Sequence, residues 1–449
     1  MNDRSRDTRL RLRATEILRE NDAGAWTKAA PKLYPHQWSW DAAFVAVGWA
    51  HIDVSRAFTE LESLFAAQWS TGMVPHIVFD PATALDSYFP GPQRWGCGVS
   101  TDAPAPGPAT SGICQPPVHA VALARVWEKA TTDQGCIEDA RRRLGWLFPR
   151  MLRWHRYLMT QRDPEQSGLV SIYHPWESGA DNAPRWDAVL AGIEVGDLPS
   201  YRRRDTAHVT DSTQRPSDAD YHRYLWLVEL LKQCHYTDES IYRAHPFLVK
   251  DVFFSALLVA ANQALLELAE IVGSPKVERA EIATWIDRGR RGLLSQFSAE
   301  LGLCLDYDMR GSISISARTF AGFAPLIAGI APPDVRDAQL AQLDSEYFLG
   351  NQKLRWPLIP TTSPLEPTFD LRRYWRGPVW PVINWVLWRS LHRLGEHRRA
   401  HALRQAALDQ VAAAGFAEYV EPFTGVALGS DNQSWTAAVV LDWLDSPYS

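Results

Sequence analysis

Apolar residues recur at three- and four-residue spacing along most of this chain, the mark of helices that bury one face. Leu10, Ile17 and Leu18 share a face over 9–20, and Phe58, Leu61, Leu64 and Phe65 share one over 54–69. The same spacing predicts helices over 117–129, 136–159, 221–233, 251–272, 278–296, 316–328, 335–343, 379–394, 397–413 and 434–443. Asp41 stands where an N-cap would, ahead of the apolar run 42–50. Strand signals are few and short, at 73–79 and 169–173. About a dozen helices without a domain break predict an all-α fold in one domain, 1–449. Paired around a toroid, they would gather their loops at one end and form a pocket.

Two irregular stretches interrupt the pattern, around 72–115 and 173–220. Loops of this length inside a globular chain are usually functional or disordered, and Tyr88, Phe89 and Trp95 argue against disorder. The second stretch opens with YHPWESGADNAPRWD, 173–187. Trp176 and Trp186 offer flat faces there, and Glu177, Asp181 and Asp187 offer carboxyl groups. Gly179 allows a tight turn, and Pro184 is expected to bar a helix.

Composition narrows the function. Apolar residues make up 46% and charged residues 22% of 449, enough for a large core. The net charge is −6, and the basic run RLRLR at 9–13 stands alone, which argues against nucleic-acid binding. Cys97, Cys114, Cys136, Cys234 and Cys304 form no C-x-x-C pair, which suits reduced thiols and not a zinc site. The first residues lack the apolar segment of a signal peptide, and the apolar run 252–261 is too short for a membrane. A cytoplasmic protein with no membrane partner is therefore expected. His36, His76, His119, His155 and His174 show no metal-binding spacing and read as structural, or as supports that hold other site residues in place. No Gly-rich phosphate loop is present, so no metal and no cofactor are expected.

The aromatic residues change the picture most. Many of the 20 tryptophans stand beside Pro, Gly or Asp, outside helical repeats. Five loop segments combine aromatics with Pro or Gly, and often a carboxylate: 33–41, 87–92, 173–182, 374–381 and 416–425. Sugar C–H faces stack on indole, and a carboxyl group in an apolar setting stays protonated near neutral pH. Glycoside hydrolysis needs two carboxyl groups flanking the bond. Glu177 and Asp181 are candidate acids, and Glu418 and Glu421 candidate bases. Their separation, which distinguishes retention from inversion, is not legible in sequence. Asp41, after Trp40, reads as a helix cap or as an acceptor for sugar hydroxyls. Arg215 and Arg376 read as anion-binding guanidinium groups or as partners of a nearby Asp.

The segments WSWDAAF, MVPHIVF, YFPGP, SGICQPPVHA, YHPWESGADN, YWRGPVWP and FAEYVEPFTG together resemble glycoside hydrolase family 63. More narrowly they resemble its bacterial mannosylglycerate and glucosylglycerate hydrolases, over about 34–443. The resemblance implies an (α/α)6 barrel whose long loops cap the pocket, and an inverting mechanism without metal. It implies Asp181 of W-E-S-G-x-D-N as general acid and Glu418 of F-A-E-Y as general base. It puts a sugar subsite on Trp40, Asp41, Trp176, Trp375 and Gln433. It puts a glycerate subsite on Tyr34, Tyr88, Gln115, Arg215, Tyr221 and Tyr374, with Arg215 clamping the carboxylate. Glu177 is counted with these as a substrate contact. The implied reaction is hydrolysis of 2-O-α-D-glucosyl-D-glycerate, a small anionic glycoside, with mannosylglycerate as a second substrate. A homo-oligomer is compatible with this reading. A trehalase-like α-glucosidase is the rival of the same class, and a helical-barrel sugar isomerase or epimerase the rival of another.

Overall fold

Two kinds of helix alternate along the chain, told apart by how much of each is buried. The computed structural model describes residues 3–31, 34–84, 87–132, 136–207 and 211–445; the chain ends and positions 208–210 of the second irregular stretch lie outside it. In chain order the helices that build the frame are α1 (Asp3–Glu20), α2 (Ser39–Trp49), α3 (Val54–Ala66), α4 (His119–Ala130), α5 (Ile137–Thr160) and α6 (Val252–Ile271). They continue with α7 (Lys276–Ser295), α8 (Ala324–Ala328), α9 (Pro333–Leu343), α10 (Pro381–Arg393), α11 (His397–Ala414) and α12 (Ser434–Leu444). The even-numbered helices bury most of their residues, and α2 buries every one from Ser39 to Trp49. The odd-numbered ones bury a stripe, as α3 does with Phe58, Leu61, Leu64 and Phe65.

That difference sets the architecture. The even-numbered helices close a ring, with α2 touching α4, α4 touching α6, and so on through α12 back to α2. The odd-numbered helices cover the outside, each against its inner neighbours. This is an (α/α)6 barrel. The ring is tight: a Cβ on Gly48 of α2 would lie 2.6 Å from the Cα of Ala438 of α12. Helix α6 is longer than the apolar run 252–261 suggested. Its length and composition would let it cross a membrane, but 83% of its most apolar window is buried within the protein. It is a core helix of the barrel.

Local chemistry fixes most boundaries within a turn of expectation. Asp53 caps α3 by accepting from the Arg56 amide, and Asp251 caps α6 by accepting from Phe253 and Phe254. Three expectations need correction. Helix α2 begins at Ser39, so Asp41 lies in its first turn and is not its cap. Of 316–328 only Phe320–Phe323, as a 3-10 turn, and α8 are helical, because the backbone at Thr319 is extended and bridges Thr362. Pro184 starts a 3-10 turn, Pro184–Trp186, that runs into the short helix Asp187–Ala191. Proline disfavours helix before it but suits the first helical position.

The few strands serve the loops. Only Ile77–Val78 of 73–79 is a strand, paired antiparallel with Gln37–Trp38. Ser171–Ile172, Val249–Lys250, Asp306–Asp308 and Ile313–Ile315 form a four-stranded antiparallel sheet in that order. This sheet roots the 173–187 segment beside the start of α6. Arg185, fully buried, pairs with Asp251 at 2.7 Å and with Asp306 at 2.5 Å, and so pins the segment to that corner.

Candidate active site

The segments leading into the inner helices line one recess with about 550 Å³ of empty space. Tyr34, Trp38, Trp40 and Asp41 come from the start of α2, and Gln115 from just before α4. Trp176, Gly179 and Asp181 come from the segment between α5 and α6. Tyr374 and Trp375 precede α10, and Glu418, Gln433 and Trp435 stand around the start of α12. A second recess, about 590 Å³, adjoins it and shares Tyr34, Tyr88, Trp176, Asp181 and Tyr374. Ser87, Phe89, Arg204, Asp205, Arg215 and Tyr221 complete its wall.

The aromatic wall is built by stacking. Trp375 lies on Trp380 with ring centroids 3.7 Å apart and planes 7° apart, and Trp380 lies on Tyr419 at 4.6 Å. Trp176 is held against His174, whose Nδ1 accepts from the Trp176 amide at 3.0 Å. Gly179 must be glycine. Its φ is +70°, and a Cβ there would sit 2.7 Å from the Trp40 ring. The Trp186 indole donates to the Ala180 carbonyl at 3.0 Å and the Trp375 amide donates to Asn182 Oδ1 at 2.9 Å, so the backbone on both sides of Asp181 is fixed.

Three carboxyl groups share this space. Glu418 is 1% exposed. Its Oε1 accepts from the Tyr34 hydroxyl at 2.6 Å, and its Oε2 accepts from the Ser430 amide at 2.9 Å. Burial pushes the Asp181 carboxyl up to about 7; Arg215 pulls it down, and Glu418 and Asp205 push it further up. Burial, then repulsion from Glu418 and Asp181, pushes Asp41 up to about 8. At neutral pH Asp41 is thus largely a neutral acid that can donate to a sugar hydroxyl as well as accept, where the sequence reading had it as an acceptor only. The site therefore offers proton donors at Asp181 and Asp41 and two hydrogen-bond-accepting oxygens at Glu418.

Arg215 faces the neighbouring recess and is 4% exposed. Its guanidinium lies 4.6 Å over the Tyr374 ring. Its Nη1 donates to Tyr34 Oη at 3.4 Å, and its Nη2 is 3.5 Å from Glu418 Oε2. Nε and Nη2 make no hydrogen bond among the described residues. A buried guanidinium with unused donors can receive an anion at little reorganisation cost.

Thirteen of the residues singled out from sequence therefore meet: Tyr34, Trp40, Asp41, Tyr88, Gln115, Trp176, Asp181, Arg215, Tyr221, Tyr374, Trp375, Glu418 and Gln433. Three others do not. Glu177 turns away from the recess and is fully buried. Both its oxygens pair with Arg162, at 2.8 and 2.9 Å, and also accept from the Cys114 and Tyr173 amides. Burial pushes its pKa up, but the ion pair outweighs that and holds it below the ordinary carboxylate value. It is a structural anchor, and no oxygen remains for substrate. Glu421 folds back on the backbone amide and hydroxyl of Thr424. Arg376 grips Asp187 with both Nη atoms, at 2.8 and 2.6 Å. Sequence reasoning missed Trp38, His76 and Trp435 in the first recess and Arg204 and Asp205 in the second. His76, which the sequence placed in a structural or supporting role, lines the recess itself and stacks on Trp176 with planes 18° apart. Burial pushes it down to about 3, so it is neutral. Its place in MVPHIVF was the signal that could have found it.

A closed ring of paired helices with three carboxyl groups in one tryptophan-walled recess is the arrangement of a glycoside hydrolase. Comparison with known proteins narrows the class. Residues 34–436 match the model of the mannosylglycerate hydrolase MGH1-like glycoside hydrolase domain. The chain is 46% identical to the glucosylglycerate hydrolase of Mycolicibacterium hassiacum, over 97% of this chain and 98% of that one. It is 42% identical to the mannosylglycerate hydrolase of Thermus thermophilus, over 96% and 100%. A crystal structure of the GH63 mannosylglycerate hydrolase from Thermus thermophilus, in complex with Tris and D-glycerate, superposes with a TM-score of 0.88 at 42% identity, covering 97% of this chain and 99% of that one. The chain belongs to the MGH1-like glycoside hydrolase family.

Proposed function

We propose that this enzyme hydrolyses 2-O-α-D-glucosyl-D-glycerate to glucose and D-glycerate with inversion, and accepts mannosylglycerate as a second substrate. The observation that carries the reading is Arg215, buried with unused donors in a recess that shares Asp181 with the tryptophan-walled one. A neutral disaccharide offers such a guanidinium only uncharged hydroxyl acceptors; the carboxylate of a glycerate aglycone offers a charged, two-oxygen one. The sugar rests among Trp40, Asp41, Trp176, Trp375 and Gln433. The glycerate rests among Tyr34, Tyr88, Gln115, Arg215, Tyr221 and Tyr374.

Asp181, pushed up to about 7, is protonated in a large fraction of molecules at neutral pH, and that form gives its proton to the glycerate oxygen as the bond to the anomeric carbon breaks. A water between Glu418 and the anomeric carbon attacks from the other face, and Glu418 takes its proton. Both bonds Glu418 makes are accepted ones, so neither requires a proton on it. Exchange with solvent then returns a proton to Asp181 and removes one from Glu418. The relatives support the substrate class: one is named a glucosylglycerate hydrolase, others mannosylglycerate hydrolases, and a neighbouring structure holds D-glycerate. Glucose and mannose differ in the orientation of one hydroxyl, and the assignment of glucose rests on the first relative. The test is incubation with glucosylglycerate, mannosylglycerate and trehalose, with the released sugar followed by NMR. The expected result is the β-anomer of the hexose, first from glucosylglycerate. Release of the α-anomer, or turnover of trehalose alone, overturns the reading.

A further inference from the structure

His76 lines the tryptophan-walled recess and does not line the neighbouring one. Its place is set by backbone bonds on both sides. The His76 amide donates to the Ile113 carbonyl at 2.7 Å, and the His76 carbonyl accepts from the Ser39 amide at 2.9 Å. Ser39 opens α2, which carries Trp40 and Asp41, and Ile113 lies two residues before Gln115. The imidazole is stacked on Trp176, with centroids 6.4 Å apart, and meets Trp95 at a steep angle, 6.3 Å away. Its position is therefore as fixed as that of the residues around it.

What sets it apart is its ring nitrogens. His76 is 6% exposed, yet neither nitrogen makes a hydrogen bond among the described residues. The other buried histidines, His36, His119, His155, His174 and His245, each use at least one ring nitrogen inside the protein. Nδ1 of His76 is wholly buried, so Nε2 is the nitrogen left to meet a ligand. A buried polar group without a partner lowers stability and calls for an explanation. Bracing Trp176 does not explain it, because a phenyl ring would stack as well and bury no unpaired nitrogen. Burial keeps the imidazole neutral, so it is a hydrogen-bonding group here and not an acid. A hydroxyl both donates and accepts, and so fits Nε2 in either tautomer.

We propose that His76 is a further specificity-determining residue, which hydrogen-bonds one hydroxyl of the hexose through Nε2. The inference rests on the reading of the enzyme as a hydrolase of glycosylated glycerate. The sugar is the part of that substrate within reach, since Arg215 takes the carboxylate in the recess that His76 does not line. A sugar lacking that hydroxyl would leave Nε2 buried and unpaired in the complex, and the site would reject it for that reason.

The experiment measures kcat/KM of the wild type and of His76→Phe on glucosylglycerate and on analogues that each lack one hydroxyl of the hexose. Each analogue-to-parent ratio reports one lost hydroxyl, and comparing that ratio between the two proteins isolates what the hydroxyl shares with His76. At one position the penalty seen in the wild type is expected to shrink by about five- to tenfold in His76→Phe, as for one neutral hydrogen bond. A loss of rate common to all substrates is what a displaced Trp176 would give, and it leaves every ratio unchanged. Ratios unchanged within about threefold at every position overturn the proposal. If the wild type turns over the parent glycoside and no position couples to His76, this inference alone fails; if it does not turn over the parent at all, the functional reading fails and this inference with it. Should His76→Phe not fold, a crystal structure of Asp181→Asn with glucosylglycerate decides: a sugar hydroxyl within about 3.2 Å of His76 Nε2 supports the contact, and a bound sugar with none there refutes it.

Discussion

Replacing Arg215 by Met tests the functional reading where it is most exposed to failure. The thioether side chain fills similar space against Tyr374, so the loss is mainly of charge and donors. In the wild type Nε and Nη2 have no hydrogen-bond partner among the described residues, so a substrate carboxylate can take two charge-assisted bonds without breaking any of those. Bonds to charged groups contribute about 1.5–3 kcal/mol each, and two of them are less than additive, so about 3 kcal/mol is at stake. At about 1.4 kcal/mol per tenfold, that is roughly a hundredfold in kcat/KM. The substitution also removes a charge 3.5 Å from Glu418 and a donor 3.4 Å from Tyr34, which will change turnover of every substrate. The assay must therefore be a ratio: kcat/KM on glucosylglycerate divided by kcat/KM on glucosylglycerol, its neutral analogue. Damage to Glu418 cancels in the ratio, and loss of the carboxylate clamp does not. A fall of about a hundredfold in the ratio is expected from that energy. A ratio unchanged within about threefold, about 0.7 kcal/mol, would mean that Arg215 does not meet the aglycone.

Other expectations follow from the same geometry. Asp181→Asn and Glu418→Gln should each lower kcat by about 10²–10⁴-fold, the range for a general acid or base, while calorimetry still detects substrate binding. Near-normal turnover in either would remove that residue from the mechanism. With the Asp181 carboxyl at about 7 and its protonated form the active one, kcat/KM should be lost as pH rises above about 7, and not as it falls toward that value. Because Arg215 pulls this group down, the same limb should move to higher pH in Arg215→Met; a limb that stays put contradicts the assignment. Glu177→Gln leaves Arg162 buried with only Asp238, at 3.2 Å, as an acidic partner. A stability loss of about 3 kcal/mol is expected by denaturant titration, at the low end for a broken buried pair, with KM of the folded fraction unchanged. A raised KM at wild-type stability would restore Glu177 to the substrate site.

The fold and the site were legible to different depths. Helix spans came through because an apolar stripe, a cap or a proline acts within one or two turns. Phe58, Leu61, Leu64 and Phe65 announce α3, and Asp251 announces the start of α6. The stretch 316–328 misled at its start, where Thr319 bridges Thr362 on extended backbone and the helix begins only after it, a pairing with a residue more than forty positions away. For the site, the aromatic loops marked where ligand would lie, and the quoted motifs chose Asp181 over Glu177. Composition could not make that choice, since both are acids in one loop beside tryptophan.

By itself, then, the sequence determined which segments are helical, which faces they bury and which loops carry aromatic and carboxyl side chains together, because those follow from neighbours along the chain. The folded chain decided what depends on distant partners. It closed six inner helices into a ring and gave both oxygens of Glu177 to Arg162. It set Asp181 and Glu418, more than two hundred positions apart, around one recess. It also left Arg215 with donors unused beside them. Desolvation and Coulomb repulsion fall off with distance through space, so only the fold could turn Asp181 from an ordinary carboxylate into an acid that holds its proton to about pH 7.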